Sequence, residues 1–148
     1  MWHYSGSVID NIEQFPESAF GFIYKITCVD TGKWYIGRKN LYSERNKPLT
    51  KKELAEDALL KKPGKKKTKK LVIKESDWLK YYGSEELIKA EVKEKGKAVF
   101  HREILHITFS KKATTYQEIR YQILHGALES DNSYNSNISG YYFRSDTL

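Results

Sequence analysis

A single cysteine, Cys28, among 148 residues leaves no intramolecular disulfide to be made. No window approaches the roughly 18 consecutive apolar residues that a membrane-spanning helix needs. The opening MWHYSGSVID has neither the basic start nor the apolar run of a secretion signal, so the expectation is a soluble protein of a reducing cytoplasm. The chain also lacks a phosphate-cradling glycine loop and a serine-nucleophile motif. Its four histidines, His3, His101, His106 and His125, show no metal-ligand spacing. His101 and His106 are five apart, which on a regular strand sends them to opposite faces. Cys28 reads as a small buried hydrophobe.

What is present is a means to build one core. Aromatic residues make up 14% of the chain, with 11 Tyr, 6 Phe and 3 Trp, which sets it apart from a disordered tail. The length suits one domain spanning 1–148, with a core over about 20–137. Net charge is +7, but residues 61–74 (KKPGKKKTKKLVIK) hold eight lysines and no acid, so the other 134 residues carry a net −1. The basicity is local, either a solvated run or a phosphate-contacting loop inserted over about 61–75.

Periodicity orders the chain. FGFIYKITC puts Phe20, Phe22, Tyr24, Ile26 and Cys28 on one parity, and KWYIGRK from Lys33 is again aromatic and β-branched, so two strands are expected. Val29-Asp30-Thr31-Gly32 between them is turn-forming, which makes the pair an antiparallel hairpin. Thr50 and Glu53 have capping-box spacing before a helix near 51–61 that Pro63-Gly64 ends. Ser76-Asp77 and Ser84 can cap helical pieces around DWLKYY and EELIKAEVKEK, and VFHREILHITF gives a third strand near 99–109. A second capping box, Thr115 to Glu118, is expected to open a last helix whose buried stripe is Tyr116, Ile119, Ile123, Leu124 and Ala127. The fold class is therefore α+β, a three-stranded antiparallel sheet flanked by helices, with a lysine-rich inserted loop.

The tripeptides Phe22-Ile23-Tyr24 and Tyr35-Ile36-Gly37 resemble the paired strand motifs that name the GIY-YIG nuclease family, with Phe22 where the first glycine is expected. The resemblance continues through Trp78-Leu79-Lys80-Tyr81-Tyr82-Gly83-Ser84, FHREIL, Glu118 and Tyr134-Asn135, and is nearest to phage-encoded, homing-endonuclease-like members. It implies an endonuclease, working in the host cytoplasm if phage-encoded, that hydrolyses duplex DNA with Mg²⁺ or Mn²⁺. It also implies catalytic roles for Tyr24, Tyr35, Arg45, Tyr82, Glu118 and Asn135. Arg38 competes with Arg45, Tyr81 with Tyr82, and Asn137 with Asn135. The other class of function is a catalytically silent nucleic-acid-binding module on the same scaffold.

These residue types suit phosphodiester hydrolysis, which needs an attacking water, a cation on the phosphate and positive charge where the transition state gathers negative charge. Glu118 is the metal-ligand candidate, and one carboxylate suffices for Mg²⁺, which keeps several waters. Tyr24 is a poor base at its ordinary pKa of about 10, so a cation or a hydrogen bond from Tyr35 must help it. Arginine suits the phosphate, and Asn135 would position the Glu118 carboxylate. Arg38, Lys39, Lys65, Lys66, Lys67, Lys69 and Lys70 are DNA-binding candidates. If both tyrosines serve one phosphate they share a sheet face, which requires Gly37 opposite Tyr24 and Ile26 opposite Tyr35.

Overall fold

The computed structural model describes residues 1–59 and 69–148. They fall into two units, one of Met1–Leu41 with Asp77–Leu148 and the other within Tyr42–Ser76. In chain order the elements are β1 (Trp2–Tyr4), β2 (Ser7–Ile9), β3 (Gly21–Cys28), β4 (Trp34–Asn40), β5 (Tyr42–Pro48), α1 (Lys51–Leu59), β6 (Lys69–Glu75), α2 (Glu86–Lys95), β7 (Phe100–Thr108), α3 (Lys111–Leu124), β8 (Asn137–Ile138) and β9 (Tyr142–Phe143). No described helix is long and apolar enough to cross a membrane.

The three expected strands, β7, β3 and β4, form one side of a five-stranded sheet in the order β2-β1-β7-β3-β4. β3 pairs antiparallel with both β4 and β7, while β1 lies parallel to β7 and carries β2 on its other side. Gly32 closes the β3–β4 turn at φ 74°, donating its amide to the Cys28 carbonyl at 2.8 Å. This four-residue turn sets the register that the shared-face argument requires, with Tyr24 opposite Gly37 and Ile26 opposite Tyr35.

Both faces of the sheet are covered. Phe22, Tyr24, Ile26, Cys28 and Tyr35 join Trp2, Phe15, Trp78, Ile88, Phe100 and Ile104 on one face. Ile23, Trp34, Ile36 and Ala127 form the smaller core with Leu105 and Tyr121 on the other. Full burial of a side chain such as Ile26 or Phe22 stabilises by about 1.5–3 kcal/mol. A bulge in the β3–β7 pairing shifts the partner of Ile23 to His106 and that of Tyr24 to Ile104. The extra residue, Leu105, reverses the parity of β7. His101, opposite Thr27, and His106, opposite Ile23, therefore lie on one face, contrary to the expectation from a regular strand.

Two helix expectations change. α3 starts at Lys111, because the Ser110 hydroxyl accepts from the Ala113 amide at 3.0 Å, and Thr115 lies inside the helix. Its inner face is polar: Thr114, Glu118 and Gln122, spaced by four, turn toward the sheet, while Tyr116, Ile123 and Leu124 are exposed. The reason is the neighbour. β4 is an edge strand, and its free backbone groups need polar partners more than the helix needs an apolar seat. Ser84 is likewise spent elsewhere, since α2 begins without a side-chain cap.

In the other unit, α1 starts behind Thr50, whose hydroxyl accepts from the Glu53 amide at 3.2 Å. The span read as a loop to residue 75 contains a strand, because Lys69–Glu75 pairs antiparallel with Tyr42–Pro48. Lys69 and Lys70 lie on that strand, where Lys70 reaches Glu53 at 2.7 Å. Lys65, Lys66 and Lys67 lie outside the described residues.

Candidate active site at the edge strand

β4 organises the site because its two parities look toward different neighbours. Tyr35 and Gly37 face Tyr24 on β3, with their ring centroids 6.0 Å apart for the two tyrosines. Arg38 points the other way, toward α3, with Nε 3.7 Å from Glu118 Oε1 and a guanidinium hydrogen bond to the Thr115 hydroxyl. Tyr24 is fully buried, and its hydroxyl, with Tyr81 as its polar neighbour, makes no hydrogen bond of ordinary geometry among the described residues. The hydrogen bond from Tyr35 that the sequence argument called for is not made. The Tyr35 hydroxyl pairs instead with Ser84 Oγ at 3.2 Å.

Burial first, then the neighbouring Tyr35 and Tyr81, hold the Tyr24 phenol well above its ordinary pKa. Tyr35 is also raised, chiefly by burial. Glu118, on the helix side of the sheet, adds the smallest of the contributions to both shifts. The carboxylate is itself held above the usual glutamate range by burial, an effect that Arg38 partly offsets through its charge and its backbone amide.

Asn135 is 1% exposed and completes the edge of β4. The segment before it runs parallel to the strand, with the Trp34 amide donating to Asn132 at 2.8 Å and the Tyr134 amide donating to Trp34 at 2.7 Å. At Ile36 the Asn135 side chain takes over as a peptide group would. Its Oδ1 accepts from the Ile36 amide at 3.0 Å and its Nδ2 donates to the Ile36 carbonyl at 2.8 Å. Gln122 Nε2 donates to that same carbonyl at 2.9 Å. The hydrogen bonds of Asn135 thus hold the residue between Tyr35 and Gly37, and they run to Ile36 and Ser133 rather than to Glu118. Asn137 serves a turn, accepting from the Gly140 amide.

Three participants were not assigned from the sequence. The Arg144 guanidinium donates to the carbonyls of Leu128, Ser130, Ser133 and Asn135, tying together the loop that carries Asn135. Ser84 holds Tyr35, and only the Gly-Ser step in front of α2 hinted at it. Tyr81 packs edge-on to Tyr24 with centroids 5.8 Å apart, and Lys39 Nζ lies 4.0 Å over the Tyr81 ring while paired to Asp77. The structure brings Tyr81 to Tyr24, whereas Tyr82 lies against the Arg102 guanidinium and Lys97. Arg45 is on β5, in the smaller unit, opposite Val72.

No three His, Cys, Asp or Glu side chains come together as a ligand group among the described residues. A hard cation that keeps most of its waters asks for less, and a desolvated carboxylate with its arginine beyond direct hydrogen-bond distance fits that demand.

A tyrosine-bearing antiparallel strand pair, packed through its edge strand on a helix with an inward glutamate, defines an α+β domain of the GIY-YIG nuclease class. The family model described as "Putative endonuclease segE, GIY-YIG domain" matches residues 2–142, and the chain belongs to that family. No curated protein and no solved structure gives a match.

Proposed function

We propose that the chain is a metal-dependent endonuclease that hydrolyses phosphodiester bonds of duplex DNA at the Tyr24, Tyr35 and Glu118 cluster. The observation that carries this reading is the edge strand itself, which sets Tyr35 beside the buried Tyr24 on one side and Arg38 beside the half-buried Glu118 on the other. A buried polar atom with as little hydrogen bonding as the Tyr24 hydroxyl is costly in a folded protein, and its retention calls for a functional reason.

Glu118 would hold a Mg²⁺ or Mn²⁺ ion through one carboxylate oxygen. Such an ion polarises a bound phosphate and lowers the pKa of a water attached to it. The water oxygen forms the new bond to phosphorus, the bond to the leaving ribose oxygen breaks, and the water proton must pass to an acceptor. In this reading Tyr24 would receive it. Burial keeps Tyr24 a neutral phenol in the free protein, so it would first have to lose its proton to solvent, a change that added positive charge nearby favours. The phenolate would then take the proton of the attacking water, while the leaving ribose oxygen takes a proton from solvent. Tyr35, fixed by Ser84, would orient the phosphate, and Asn135 would act by holding Ile36 between the two reacting positions. For the phosphate arginine the geometry favours Arg38, in the same unit and beside Glu118, over Arg45. The lysine-rich segment remains a proposed source of sequence-independent phosphate contacts.

Incubation of purified protein with supercoiled plasmid tests this. Nicked or linear product that requires Mg²⁺ or Mn²⁺ and disappears with EDTA supports the reading. Salt-sensitive binding with no cutting in either metal supports the silent binding module.

A further inference from the structure

A groove of about 570 Å³ opens between the turn over Trp78–Lys80, α2 and the segment after it. Its rim carries Lys80, Lys89, Lys93 and Lys97, and its wall carries Tyr81 and Tyr82. Asp77 is its one acidic lining residue among those described, and Lys39 neutralises it at 2.5 Å. Lys89 has only a loose contact to Glu86 at 3.9 Å, and Lys80, Lys93 and Lys97 have no ion pair among the described residues. Most of the positive charge on this rim is therefore unpaired among the described residues.

The groove is built rather than incidental. Arg102, 3% exposed, lies between the rings of Trp2 and Tyr82, with its guanidinium 4.5 and 4.1 Å from their centroids. It donates to the carbonyls of Leu79 and Tyr81 at 3.0 and 2.8 Å, which fixes the backbone that presents both tyrosines. Lys89 and Lys93 are four apart on α2 and share a face, about 6 Å apart along the axis. Gly96, at φ 84°, ends the helix and lets Lys97 follow them along the rim. Tyr81, in the wall, is the residue that packs on Tyr24, so the groove abuts the tyrosine cluster.

We propose that this groove is the track for the phosphate backbone of duplex DNA on the flank of the cleaved bond. An open row of lysines, three of the four without an ion pair among the described residues, suits a regularly charged polyanion, in which each strand presents a charge about every 3.4 Å of duplex axis. The lysines supply point charges without base reading, so the track adds affinity and orientation and leaves sequence choice to other parts of the chain. This inference rests on the nuclease reading for its choice of polymer.

The test compares Lys80→Ser/Lys93→Ser/Lys97→Ser with wild type for binding to a labelled 30-base-pair duplex in EDTA, across a salt series, with thermal melts confirming the fold. Three lost phosphate contacts flatten the log–log salt slope by roughly 2.7, so the affinity that wild type loses between about 50 and 200 mM salt shrinks by about 40-fold in the variant. A control, Lys33→Ser/Lys111→Ser/Lys112→Ser, makes the same change in net charge and is expected to keep the wild-type slope. An unchanged slope in the groove variant, or an equal flattening in the control, overturns the proposal. The nuclease reading is judged separately by cutting: wild type that binds steeply but never cuts defeats that reading and leaves the groove standing.

Discussion

The hydroxyl of Tyr24 lies directly over Gly37: a Cβ on Gly37 would fall 2.5 Å from Tyr24 Oη and 2.8 Å from Cζ, with Tyr35 Cε1 also at 2.8 Å. The glycine is there for space, not for backbone freedom, because no positive φ is needed at that position. Its missing side chain lets a fully buried tyrosine reach across to the edge strand.

Gly37→Ala is therefore expected to destabilise by about 1–3 kcal/mol, the cost of overpacking a tight interior. Tyr24→Phe in the same chain removes the closest atom and should recover part of the loss, although Cζ still crowds the site. Urea melts of the two single variants and the double variant measure the coupling. Additive effects would show that Tyr24 does not fill the space over Gly37.

Asn135→Ala strips the Ile36 amide of its acceptor, while the Ile36 carbonyl keeps Gln122. Leaving that buried donor unpaired should cost about 1–3 kcal/mol. Arg144→Lys keeps the charge but loses the fork that gathers several carbonyls, so it should loosen the same segment. Hydrogen exchange at Ile36 reports both. Unchanged protection of that amide would contradict the clamp.

Glu118 carries a stability signature as well as a chemical one. Its folded pKa is raised by burial, so the stability linked to it is fully present below the ordinary glutamate pKa and is lost as pH rises through the raised value. Glu118→Gln should accordingly melt at a higher temperature than wild type near pH 7, with the two curves meeting at acid pH. A melting difference that does not depend on pH would mean that the carboxylate is not desolvated.

Arg38 holds the Glu118 carboxylate down against that burial. Arg38→Gln should therefore move the acid limb of the cleavage profile to higher pH, in addition to lowering the rate at saturating metal. Arg45→Gln serves as the comparison. A shifted limb with Arg45→Gln and none with Arg38→Gln would reverse the assignment of the phosphate arginine.

The β3–β4 hairpin was legible in the sequence because alternating Phe22, Tyr24 and Ile26 and the Asp30-Thr31-Gly32 turn are local signals, and together they fix the register that unites Tyr24 with Tyr35. The face of α3 was misread for a physical reason. Helical periodicity of apolar residues marks the face that seeks a core, but this helix packs on an edge strand whose backbone seeks hydrogen bonds, so Thr114 and Gln122 turn inward. The parity of His101 and His106 failed at the Leu105 bulge, which leaves no composition signal. Ser84 was read as a helix cap because its partner, Tyr35, lies 49 residues away, and Arg144 gave no signal because it binds backbone carbonyls, which carry no side-chain pattern.

The central claim is that Glu118 is the one carboxylate serving a metal in this cluster, and it is tested most directly by comparing plasmid cleavage by wild type and Glu118→Ala across a Mg²⁺ and Mn²⁺ series. Wild type should cut only with metal present, and Glu118→Ala should lose nearly all cutting while binding DNA as well as wild type or slightly better, because a negative charge has been removed. Cutting by Glu118→Ala at the wild-type rate would contradict the account.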